Sequence, residues 1–132
     1  MDDYGKLWDN YSIEFNSKLV NSNGDWNKLD EDEQEIAALW KLFVDINNGG
    51  FIQFFCNWGF QCFCYAMRGL KRIDDTRLTE YWDIPEYLTD EDEERLNTAD
   101  TQFYKTECEH FTKMAYEYYH QTLKKTVTPI DT

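Results

Sequence analysis

From Ile36 to Ile73 the chain carries one acid and four bases within a dense apolar run, and Gly49-Gly50 interrupts that run. A segment this apolar has to be buried, and a double glycine inside it lets the backbone turn sharply. Two buried helices joined by a tight turn are the expected outcome. Ile36, Leu39, Trp40, Phe43 and Ile46 recur at spacings of three and four, which is one face of a helix. Asp30 and Glu33 stand three apart just ahead of that run, an N-cap pattern. Asn47-Asn48-Gly49-Gly50 then stops the helix, because Asn and Gly tolerate the left-handed conformation that closes helix ends. Phe51 to Asn57 is short and very apolar, and its run Phe51-Ile52-Gln53-Phe54-Phe55 is too short for periodicity to separate a buried strand from a helix. Gly59 is a plausible breaker before a second buried helix, Phe60 to Ile73, with Phe63, Met67 and Leu70 on one face.

The flanks also read as helical. Ser12 to Val20 forms a first helix and Asp75 to Trp82 a short later one. Pro85 interrupts the chain, and Thr89-Asp90-Glu91-Asp92 opens an acidic turn. Tyr104, Cys108, Phe111, Ala115, Tyr118 and Thr122 mark a long helix that ends before Pro129. Alternation of the strand type is weak everywhere. The expected fold is all-α, a compact single-domain bundle of about six helices over residues 1–132. A length of 132 residues suits one core. An aromatic content of 17% is too high for a disordered chain. No apolar run approaches the roughly 20 residues of a membrane span, and no export signal is visible, so no membrane contact and a cytoplasmic location are expected.

Charge is the main functional clue. Acids outnumber bases 26 to 13, a formal net charge of −13. Such a chain repels phosphates, which argues against direct nucleic-acid binding and favours a partner with a basic face. The excess sits in two blocks, net −7 over residues 1–35 and net −9 over residues 74–100, around a centre of net +3. The candidate partner-binding residues are Asp30, Glu31, Asp32, Glu33 and Glu35 in the first block. In the second they are Asp90, Glu91, Asp92, Glu93 and Glu94. Both runs also fit the plainer role of solvated acids in a first helical turn, where the dipole favours them. Acids three or four apart on a helix lie about 5–6 Å from each other, comparable to phosphates along one DNA strand. If the two blocks share a face, they offer one anionic ridge. Trp8, Trp26, Trp82 and Tyr87 lie among these acids as partner anchors or as core residues.

Catalytic chemistry is not expected. Phosphate-cradling, zinc-protease, nucleophile-elbow and dinucleotide motifs are all missing. His110 and His120 lie ten residues apart, about 15 Å along a helix, too far to share a metal from that helix alone. Cys56, Cys62, Cys64 and Cys108 lack a CxxC pair and are expected as core thiols. No metal and no cofactor are therefore expected.

Asn48, Gly49, Gly50, Phe51, Gln53, Phe54, Phe55, Asn57 and Gly59, within residues 47–59, form the most distinctive motif. It resembles the signature of the DNA-mimic-protein-like domain family, a bacterial family of small helical proteins. The likeness extends over about residues 36–73. It implies an acidic dimer that imitates DNA and occupies a transcription factor. Read physically, the motif is a folding element, with the Phe side chains in the core and Gln53 and Asn57 hydrogen-bonded near the turn. Two other functions stay open. One is an immunity-type protein that neutralises a toxin such as a nuclease. The other is a small-molecule or enzymatic pocket around Asn48, Gln53 and Asn57.

Overall fold

The structure is a computed structural model that describes residues 3–73, 83–102 and 105–126. Helix α1 spans Tyr4–Asn21, and a single 3-10 turn, Trp26–Lys28, leads into α2, Glu31–Asn48. Helix α3 spans Gly50–Ile73, α4 spans Asp90–Gln102 and α5 spans Lys105–Tyr116. A π-helical stretch, Glu117–Thr122, continues α5. The fold of the described residues is thus all-α, with five α-helices rather than about six. The short helix expected over Asp75–Trp82 lies outside the described residues.

Asp30 and Glu33 form a complete capping box at the start of α2. The Glu33 N–H donates to Asp30 Oδ1 at 3.0 Å and the Asp30 N–H donates to Glu33 Oε1 at 2.9 Å. The stop at Gly49-Gly50 is also as expected, but the two glycines divide the work. Gly49 has an extended φ of −159° and its N–H closes onto Asp45 O at 2.7 Å. Gly50 alone takes a positive φ, 85°. Phe51–Phe55 continues as helix, not strand, and α3 breaks at Gly59, where φ is 89° and ψ is 176°. That region of backbone space is open essentially to glycine alone.

Helix α2 is the hub. It packs on α1, α3 and α5, while α4 packs on α3. Ile36, Ala37, Ala38, Leu39 and Leu42 are all fully buried, so α2 is enclosed on more than the one face its spacing predicts. Trp40 and Ile46, expected on the buried face, are only half-buried. Around α2 the core draws Trp8 and Phe15 from α1, Phe54, Phe63 and Met67 from α3, Leu96 from α4 and Phe111 from α5.

Two boundaries differ from expectation. Helix α1 begins at Tyr4, not Ser12, with Asp3 accepting from the Lys6 N–H at 3.1 Å as its cap. At the other end, Tyr119 rather than Tyr118 is the fully buried tyrosine and Thr122 is exposed. The π-helical stretch is the cause. Its wider turns, seen in the Leu123 N–H bond to Tyr118 O at 2.8 Å, move the inward position by one residue.

Candidate functional site

The first acidic block is not a solvated face. Glu33 is 1% exposed and Glu35 is 0% exposed, which overturns their assignment as surface partner-binding residues. Both are held by cations from elsewhere in the fold. Lys18 Nζ on α1 donates to both Glu33 oxygens, at 3.0 and 2.8 Å. Arg68 Nε donates to Glu35 Oε2 at 2.5 Å, and Arg72 Nε lies 3.3 Å from Glu35 Oε1. The Tyr119 hydroxyl donates to that same Oε1 at 2.7 Å. Burial raises the Glu35 pKa, against the Tyr119 hydroxyl and the two arginines, which act to lower it. Burial and the Glu35 charge together raise Tyr119 well above the usual phenol range.

The remaining acids of this block are half-buried or exposed, yet also matched. Arg72 Nη1 donates to Asp32 Oδ1 at 2.8 Å, and its Nη2 lies 3.6 Å from Glu31 Oε2. Asp30 pairs with Lys125. Burial works to raise the Asp30 pKa, but the hydrogen bonds from Lys125 and the Glu33 N–H hold it below the usual value. Five acids thus meet Lys18, Arg68, Arg72 and Lys125, which leaves the Asp30–Glu35 run nearly neutral. Arg68 and Arg72 are four apart on α3 and face acids in the first turns of α2. Their i, i+4 spacing and the positive centre of the sequence are the signals that could have revealed the pairing.

The second block is built differently. Thr89 and Asp92 cap α4 reciprocally, with the Thr89 N–H donating to Asp92 Oδ2 at 3.0 Å and the Asp92 N–H donating to Thr89 Oγ1 at 3.2 Å. Arg95 donates to Asp83 at 2.6 Å and stands 3.9 Å from Asp92. Asp90, Glu91, Glu93 and Glu94 are exposed in the first turns of α4, and Tyr87 beside them is 83% exposed. Of the other aromatic candidates, Trp8 is core, Trp26 is half-buried and Trp82 lies outside the described residues.

A further feature lies away from both blocks. An open groove of about 440 Å³ is bounded by α1, the 3-10 turn, α2 and the break in α3, and Lys41 and Trp58 line it. Of its lining residues the sequence analysis singles out Trp26 alone, as a partner anchor or core residue.

The matching family spans residues 27–122, from the 3-10 turn to the end of the π-helical stretch. The chain belongs to the DMP19-like protein family. No curated protein and no solved structure gives a match. In this DMP19-like chain the distinctive motif holds the α2–α3 junction. Phe51, Phe54 and Phe55 are buried, and the Phe51 N–H donates to Asp100 Oδ1 of α4 at 2.7 Å. The exposed Asn48 Nδ2 donates to Val44 O at 3.2 Å, and the exposed Asn57 Nδ2 donates to Asp45 Oδ2 at 3.4 Å. Gln53 is half-buried and folds over Gly49. None of Asn48, Gln53 and Asn57 lines the groove.

The thiols of this DMP19-like protein differ sharply. Cys62 is fully buried, Cys64 half-buried and Cys56 exposed, so core placement holds for Cys62 and fails for Cys56. Burial pushes the Cys62 thiol up to about 12. The thiolate is the reactive form. Iodoacetamide is therefore expected to label Cys56 in the native protein and Cys62 only after denaturation. Mass spectrometry of the two states checks this, and native labelling of Cys62 at the rate of Cys56 would contradict it. Both histidines are exposed, and His120 stacks on Tyr116 with centroids 4.6 Å apart. Among the described residues there is no group of three or more His, Cys, Asp or Glu able to hold a metal ion. Nor is any helix there long and apolar enough to cross a membrane.

Proposed function

We propose that the protein is a non-catalytic acidic binding domain that occupies the DNA-binding surface of a basic protein by standing in for phosphates. The observation that carries this reading is the contrast between the two acidic blocks. Asp30, Glu31, Asp32, Glu33 and Glu35 are matched by four cations of the fold, whereas Asp90, Glu91, Glu93 and Glu94 stand exposed at the start of α4. The mimic surface is accordingly the α4 face, not a ridge shared by both blocks. These carboxylates sit on a helix capped at its first turn, so their spacing is fixed before a partner arrives. Tyr87 offers an exposed aromatic beside them, of the type that anchors protein interfaces. Membership in the DMP19-like family and the net charge of −13 support the same reading.

The test is capture of a basic DNA-binding protein at low salt, followed by a challenge with duplex DNA. Mimicry requires that DNA displace the partner and that salt weaken the complex, because charge–charge contacts at an exposed face are screened. Neutralising α4 with E91Q, E93Q and E94Q together is expected to reduce affinity by about ten-fold or more, as for the loss of several interface charges. A complex that survives saturating DNA, or is indifferent to the triple change, rules this reading out. Survival in DNA combined with sensitivity to the α4 change points instead to an immunity-type role against a toxin.

A further inference from the structure

Lys41 occupies an unusual position. It is 6% exposed, yet it lines the groove between α1, the 3-10 turn, α2 and the α3 break. Its Nζ donates to Asn16 Oδ1 at 2.5 Å, and Asn16 is itself oriented by its Nδ2 bond to Ser12 O at 3.1 Å. The same ammonium lies 4.3 Å from the centroid of the Trp58 ring. Among the described residues no carboxylate makes an ion pair with it. Asp45, the acid one helical turn along, instead accepts the Trp58 indole N–H at 2.9 Å. Lysine carries three donors, and a buried charge without a counter-ion is costly. Burial lowers the Lys41 pKa, while the charges of Cys62 and Asp45 act to raise it.

The walls around this cation are apolar. Leu19, Val20, Trp26 and Trp58 line the groove, with Val20 71% and Trp58 44% exposed. A volume of about 440 Å³ falls within the usual range for small-molecule sites. An exposed apolar wall beside a buried, unpaired cation is complementary to one class of molecule, an apolar body that ends in an anion. We propose that this groove binds a small organic acid, its carboxylate on Lys41 Nζ and its aromatic or aliphatic body against Val20 and Trp58. The proposal is independent of the acidic face on α4.

Phenylbutyrate and its neutral amide are suitable probes for the full chain. They are followed by calorimetry and by the NMR resonance of the Trp58 indole N–H. The acid is expected to bind about ten-fold more tightly than the amide, the size of effect a charge-assisted hydrogen bond gives, and to shift that resonance. Lys41→Met keeps the length of the side chain and should abolish the preference. Asn23→Asp places an anion at an exposed position on the groove rim, outside the contacts assigned to the ligand. It should weaken the acid and spare the amide, so it decides the matter even if the Lys41 variant fails to fold. Equal affinity for acid and amide overturns the proposal, as does a Trp58 resonance that does not move. A preference for the acid that is undiminished by Asn23→Asp also overturns it.

Discussion

Replacing Glu35 by Ala is expected to destabilise the fold by about 3–5 kcal/mol, the cost typical of breaking a buried ion pair from one side. Glu35 joins three elements through one carboxylate: α2, the Arg68–Arg72 face of α3, and Tyr119 beyond α5. Removal strands the buried Tyr119 hydroxyl and leaves two guanidiniums facing a void. Arg68 and Arg72 can still turn toward water, since their side chains are 28% and 32% exposed. The effect should therefore sit at the lower end of that range. Tyr119→Phe is the informative companion. It removes one hydrogen bond while both arginines stay paired, and should cost only about 1 kcal/mol. Urea denaturation checks both, read as a shift in midpoint at constant slope. A Glu35→Ala midpoint as mild as that of Tyr119→Phe would show that the carboxylate does not hold the three elements together.

Gly50→Ala is expected to cost about 3 kcal/mol, from two sources. The positive φ of 85° strains any residue with a Cβ, by about 1–2 kcal/mol. The added methyl would also lie 2.3 Å from Asp100 Oδ2 and push that carboxylate off the Phe51 N–H. Loss of a hydrogen bond to a charged acceptor adds about 1.5–3 kcal/mol, and it unfastens α4 from the start of α3. The two sources separate in a double-mutant cycle with Asp100→Ala. Because the alanine at position 50 already breaks the Asp100 contact, the pair should be sub-additive by about 1 kcal/mol or more. Strict additivity would mean that Asp100 and Gly50 act independently.

Helix content and the central turn were legible because their causes are local. The Asp30–Glu33 box and the Gly49-Gly50 stop need only neighbouring residues, and both stand where the sequence puts them. The start of α1 was harder to see. Trp8, Ser12, Phe15 and Leu19 do keep a helical spacing, but a serine lies on the buried stripe. Its hydroxyl is satisfied by Trp8 O at 2.6 Å, so it does not mark a surface. The fate of the first acidic block left only an indirect trace in the sequence, the i, i+4 pair Arg68 and Arg72 in a positive centre. An acid-rich stretch looks the same whether water or arginine surrounds it. The partners of Asp30, Glu33 and Glu35 come from 15 to 95 residues away, so only the assembled fold decides. The groove was hidden for a similar reason, since Val20, Lys41 and Trp58 come from three different helices and meet only in the assembled fold.

The contacts of residues 119–125 bear on the order of events during synthesis. Tyr119 reaches back to Glu35, the Tyr11 hydroxyl donates to Lys125 O at 2.6 Å, and Lys125 pairs with Asp30. Contacts that span 84 to 114 residues of chain close slowly. A nascent chain leaving the ribosome must therefore wait for this late latch. Until then its aromatic interior stays open to chaperones and to premature association with other chains.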